Sequence, residues 1–313
     1  MNLTFLALLL IVAGCQKNND QIEPEVKSIK KVYTTLVDGI NREYIVSVPK
    51  SYNGQSKVPV VFMLHGTSGD GEKFYNISGW KELGEQENIL TVYPSSLSKC
   101  ITEGTETKTI SKWNAQPLLD WNYCQGVNPP DDVKFLEKVL NEIQLNYTIE
   151  TKQVYFVGFS NGGQMCAMLS IFMGDRIAAI VESAGSFNID STFIPKRNLP
   201  ITFQIGNKDY GSGVEGPENP LIIFETAMNN QSYYLNRVKE IHINSFQLNP
   251  NYSISGDTST AMTATFLPLS GSENNSFNFV YIKGLGHEYP NGKNHWLNGA
   301  RANWDWLKNF KLP

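Results

Sequence analysis

Residues Val154 to Gly163 read V-Y-F-V-G-F-S-N-G-G. Val154 to Val157 form an unbroken apolar run of β-branched and aromatic residues, which predicts a strand buried on both faces. The run passes into Gly158-Phe159-Ser160-Asn161-Gly162, a G-x-S-x-G string, and then into Gln164 to Leu169, whose residues favour a helix. Strand, sharp turn and helix in that order form the setting of a nucleophile elbow. The turn forces the serine into a strained backbone, and a Cβ at Gly158 or Gly162 would collide with the neighbouring strand or helix. In return, the Ser160 hydroxyl stands exposed at a helix N-terminus, where backbone amides favour developing negative charge.

Working outward, the pattern alternates. Lys31 to Val37 and Glu43 to Pro49 flank the turn-like Asp38-Gly39-Ile40-Asn41 and predict an opening antiparallel hairpin. Val58 to Leu64, Ile89 to Tyr93, Ile177 to Glu182, Ile201 to Gly206 and Asn278 to Lys283 predict further strands. Helices are expected at Lys73 to Glu85, Asp131 to Asn146, Tyr233 to Ile243 and Asn298 to Phe310. In the second of these, Val133, Leu136, Val139, Leu140 and Ile143 form an apolar stripe behind an aspartate cap. Strands alternating with helices specify an α/β class fold, a doubly wound, mostly parallel sheet with an antiparallel N-terminal hairpin. Ser95 to Pro130 and Pro250 to Ser276 lack this periodicity. The first holds Trp113, Trp121, Tyr123, Cys100 and Cys124, and a loop that long is commonly functional.

A serine hydroxyl needs a base to take its proton and a third group to orient that base. His287, in Gly284-Leu285-Gly286-His287-Glu288, directly follows the last strand and is the candidate base; His295 reads as packing or surface. Asp209, in Gly206-Asn207-Lys208-Asp209, follows strand 201–205 and is the candidate acid. The order serine, acid, histidine suits this fold. An oxyanion pocket needs two backbone donors, expected at the N–H of Asn161 and of Thr67. His65, beside Thr67, then shapes the pocket, and Trp113, Trp121 and Tyr289 are candidate substrate contacts.

Taken together, Asp38 to Pro49, His65-Gly66-Thr67, Asp131-Asp132-Val133, Val154 to Gly163, Gly206 to Asp209 and Gly284 to His287 resemble the secreted α/β-hydrolase esterases. The type is that of polyhydroxybutyrate depolymerases and feruloyl esterases, carbohydrate esterase family one. The resemblance covers most of Val32 to Lys308. It departs at His287-Glu288-Tyr289-Pro290, where such enzymes often carry tryptophan, and in the added polar stretch Pro250 to Ser276. It implies a serine carboxylesterase acting on feruloyl or acetyl esters of plant polysaccharide, or on short hydroxyalkanoate esters, with no metal or cofactor. The same residues leave open a serine peptidase, an acyltransferase, or a non-catalytic surface protein binding glycan through Trp113, Trp121 and Tyr123.

The N-terminus adds a location. Leu6 to Val12 is too short to span a bilayer and ends in Val12-Ala13-Gly14-Cys15, which resembles a bacterial lipobox with Cys15 as the lipidated residue. Residues 1–15 are thus expected to be a lipoprotein signal, 16–30 a flexible tether, and 31–313 one catalytic domain outside the cytoplasm, held at a membrane by its lipid alone. In an oxidising compartment Cys100 and Cys124 are expected to pair, while Cys166 on the helix behind Ser160 reads as buried. The net charge of −4 over 313 residues is mild and spread, so nucleic acid is not an expected partner. A monomer is expected.

Overall fold

The computed structural model describes residues 28–103, 105–115, 123–189, 191–231, 234–270 and 275–313. Cys15, the rest of the expected signal, residues 16–27 of the expected tether and Trp121 lie outside them, whereas Ile29 and Lys30, expected in the tether, begin the first strand. Strands β1 (Ile29–Val37) and β2 (Ile40–Val48) form a hairpin through Asp38 and Gly39, both at positive φ. Such a turn twists with the strands it joins. Next come β3 (Val58–Leu64), α1 (Gly71–Ile77), α2 (Trp80–Glu87), β4 (Leu90–Pro94) and a small hairpin of β5 (Ser98–Glu103) and β6 (Glu106–Ser111). After these run α3 (Asp132–Asn146), β7 (Ile149–Phe159), α4 (Asn161–Phe172), β8 (Ala179–Ser183) and β9 (Ile201–Gly206). The chain closes with α5 (Phe224–Asn229), α6 (Tyr234–Ser245), β10 (Leu248–Asp257), β11 (Ala261–Pro268), β12 (Phe277–Ile282) and α7 (Gly299–Leu307).

Ten strands make one sheet in the order β1-β2-β4-β3-β7-β8-β9-β12-β11-β10. The six from β4 to β12 are mutually parallel, with antiparallel pairs on both flanks. Parallel strands sit buried on both faces, and the two faces hold separate apolar cores. Phe135, Leu136 and Val139 of α3, Met165 and Leu169 of α4 and Val238 and Ile241 of α6 fill one. Phe74 of α1, Trp80 and Leu83 of α2 and Trp304 and Leu307 of α7 fill the other. The expected helix over 73–85 is two helices, because Gly79, at φ +79°, turns the chain between them. The stretch 250–276 is not a loop excursion: most of it forms β10 and β11. Most side chains of β10 face solvent, so no apolar alternation marked it as a strand.

The β5–β6 hairpin is pinned by buried charge. The Asp132 carboxylate, at the start of α3, accepts from Arg42 Nη2 at 2.7 Å, Lys99 Nζ at 3.2 Å and the backbone N–H of Asn114 at 2.6 Å. The Arg42 guanidinium lies 3.8 Å over the Phe135 ring. Burial holds the Lys99 ammonium below its ordinary pKa against the pull of Asp132. A disulfide between Cys100 and Cys124 closes the same region, with Cα atoms 5.4 Å apart.

Candidate active site

Ser160 joins β7 to α4 at φ 53°, ψ −119°, a left-handed backbone that costs energy in a non-glycine residue. The surroundings enforce it. A Cβ on Gly158 would stand 2.0 Å from the Gly162 carbonyl oxygen, and one on Gly162 would stand 2.4 Å from that of Leu64. Ser160 N–H donates to the Ser183 carbonyl at 2.7 Å. Because α4 starts at Asn161, the amides of its first turn have no intrahelical acceptor.

The strands β9 and β12 are parallel neighbours, so the loops leaving their C-terminal ends meet. Asp209 lies on the first loop and His287 on the second. Ser160 Oγ donates to His287 Nε2 at 2.9 Å, and His287 Nδ1 donates to Asp209 Oδ1 and Oδ2 at 2.9 and 3.0 Å. The carboxylate is 3% exposed and the imidazole 15%. A buried carboxylate fixes both the tautomer and the tilt of the ring it accepts from. The two loops are tied by Asn207, to which the sequence analysis assigned no role. Its Oδ1 accepts from Gly284 N–H at 2.7 Å, and its Nδ2 donates to the Asn219 carbonyl at 2.6 Å.

Thr67, Asn161, Ser160, Asp209 and His287 all border one cleft of about 970 Å³. Its lining also includes Lys108 and Ile110 of β6, Tyr210, Ile223, Tyr234 and Tyr281. Of the expected contacts, Trp113 and Tyr289 lie elsewhere, and Trp121 is outside the described residues. Trp113 is fully buried, stacked on Phe135 and tilted against His65, with its indole N–H on the His65 carbonyl. Tyr289 is buried with its hydroxyl accepting from Trp80 and Asn303, so it braces α2 and α7. Large aromatic rings in a polar segment mark a small core as readily as a pocket wall. Tyr123, half-buried, donates to Asn114 Oδ1 at 3.0 Å.

His65 is also fully buried and cannot touch a substrate. Its Nδ1 donates to the Gly66 carbonyl at 2.7 Å, and its Nε2 accepts Ser96 N–H at 2.9 Å. Burial pushes the imidazole down from 6.5 to about 4. The folded protein therefore binds fewer protons than the unfolded chain between those values. Stability is full above pH 6.5 and falls as the pH drops through that window, by up to about 1.4 kcal/mol per unit. Urea unfolding at pH 7 and pH 5 should show this loss, and His65→Gln should flatten the profile.

A mostly parallel central sheet, helices on both faces and a strained serine between its central strand and the next helix define the α/β-hydrolase fold. The chain has the α/β-hydrolase fold. Residues 47–188 match the family described as "Alpha/beta hydrolase of unknown function (DUF915)". The bifunctional acetylxylan esterase/xylanase XynS20E of Neocallimastix patriciarum is 25% identical over 171 residues, 55% of this chain and 22% of that one. Feruloyl esterase B of Piromyces equi is 23% identical over 286 residues, 87% of this chain and 46% of that one. The chain thus spans less than half the length of either relative. The structure of an acetyl xylan esterase from Aspergillus awamori superposes with a TM-score of 0.59 at 14% identity, covering 89% of this chain and 99% of that one. Among the described residues no helix is long and apolar enough to cross a membrane.

Proposed function

We propose that the protein is a serine carboxylesterase. The observation that carries this is the unbroken line from Ser160 Oγ through the His287 ring to the Asp209 carboxylate, all within 3.0 Å contacts. In this reading His287 takes the Ser160 proton as the oxygen attacks an ester carbonyl. The Thr67 and Asn161 amides hold the oxyanion while the alcohol leaves with the proton from His287. Water, deprotonated by the same imidazole, then releases the acid from Ser160. All the groups that act are supplied by the chain itself.

For substrates we infer acetyl or feruloyl esters of plant polysaccharide, with short hydroxyalkanoate esters as the other candidate. The names of the two curated relatives support the former. Cys15 would tether the enzyme outside the cytoplasm, where polymeric substrates are met. Side-by-side turnover of acetylated xylan, methyl ferulate and a hydroxybutyrate oligomer tests the assignment. Release of acid from the first or second, with a fluorophosphonate probe mapping to Ser160, is the expected result. No turnover and no labelling would remove the reading.

A further inference from the structure

We propose that the short segment Ser111–Trp113, where the chain leaves β6, is the positioning element of the amide pocket. The inference rests on the reading that Thr67 and Asn161 supply the oxyanion donors. Those two amides belong to different parts of the chain, one after β3 and the other at the head of α4; β3 pairs with β7 and Gly162 packs on the Leu64 and His65 carbonyls, which sets the approach of the two elements but leaves the Thr67 turn itself to be held. Ser111–Trp113 bonds to both.

On the Thr67 side, the Ser111 carbonyl accepts Ser68 N–H at 2.9 Å, and Ser111 Oγ donates to the Gly69 carbonyl at 2.6 Å. The Trp113 indole N–H donates to the His65 carbonyl at 2.9 Å. Three bonds thus bracket Thr67 from residues 65, 68 and 69. On the other side, the Asn161 side chain meets the backbone of Trp113 twice. Its Oδ1 accepts Trp113 N–H at 2.6 Å, and its Nδ2 donates to the Trp113 carbonyl at 3.3 Å. A two-point clamp of this kind sets an orientation as well as a distance. The segment is itself held from behind by buried charge: Lys99 Nζ donates to the Lys112 carbonyl at 2.9 Å, and Asp132 accepts the next amide, Asn114 N–H. The disulfide-closed hairpin, which also borders the cleft with Lys108 and Ile110, is in this way joined to the reacting centre through its backbone.

Oxyanion donors act only when aimed at the place where charge develops, and a displacement of an ångström weakens them severely. The test compares Asn161→Ala, Trp113→Phe and Ser111→Ala with the unaltered enzyme on phenyl acetate and on its thiono analogue. Sulfur is larger and a weaker hydrogen-bond acceptor, so a well-aimed pocket discriminates in favour of the oxygen ester. Removing the clamp should lower kcat on phenyl acetate on the order of 10- to 100-fold with KM little changed, and cut the oxygen-over-sulfur preference about tenfold. A purely structural role leaves that ratio alone, because both substrates sample the same folded fraction. Ser111→Ala deletes a single hydroxyl and keeps the test valid if a core variant fails to fold. An unchanged ratio in the folded variants overturns the proposal while the esterase reading stands. An unaltered enzyme inert to both esters overturns the esterase reading and this inference with it.

Discussion

Ser160→Ala is expected to lower kcat/KM on an activated ester such as p-nitrophenyl acetate by on the order of 10⁴- to 10⁶-fold, with the fold intact. The size of the effect follows from the geometry. His287 Nε2 meets the Ser160 hydroxyl at 2.9 Å, and among the described residues of the cleft no other nucleophile is hydrogen-bonded to it. Alanine keeps the amide pocket and the bound ester but leaves the base with nothing to activate except water in an unfavourable position. The backbone should accept the change, since Ala184 already occupies a comparable positive φ of 54° nearby. Thermal melting and circular dichroism should match the parent protein. Activity within tenfold of the parent would mean that another group carries the chemistry.

Asp209→Asn should cost nearly as much, on the order of 10⁴-fold in kcat. Gly211 N–H donates to Oδ1 at 2.9 Å, so an asparagine would keep its carbonyl oxygen there and put its NH₂ in the place of Oδ2, 3.0 Å from His287 Nδ1, turning half of the two-oxygen acceptor into a donor. Two donors cannot face each other. The imidazole would then carry its proton on Nε2, aimed at Ser160, and could no longer accept from it. KM should move little, since Asp209 is almost fully buried behind the ring. A near-normal kcat in a folded Asp209→Asn protein would show that the imidazole is oriented by something else.

The central strands, and the meeting of Ser160, Asp209 and His287, were legible in the sequence because each rests on a local rule. A buried parallel strand writes itself as an apolar run, and the C-terminal ends of such strands mark where side chains converge. What stayed hidden depends on three-dimensional neighbours. The strand β10 read as polar loop because an edge strand exposed on both faces has no alternation to show, and β11, its inner neighbour, buries only Ala264 and Phe266. Trp113, Tyr289 and His65 carry side chains equally suited to a pocket or a core, and only burial decides between them. Asn207 and the backbone of Trp113 act through main-chain bonds to distant segments, for which one chain carries no signature.

The two borders of the large sheet are built differently. The outermost strand at the carboxy-terminal side carries Pro250, a register irregularity between Leu248 and Tyr252, and Gly256 at φ +93°. Its counterpart β1 runs nine residues in regular register with Ile29, Val32 and Leu36 facing water, and among the described residues no strand pairs with its outer rim. A long, regular rim of peptide groups beside apolar side chains, broken near its end where Lys138 Nζ donates to the Leu36 carbonyl at 3.0 Å, is a template for intermolecular strand addition. Crowded or partly melted molecules should therefore associate through their amino-terminal border, and a proline or an added charge in β1 is where colloidal behaviour can be improved without approaching the chemistry.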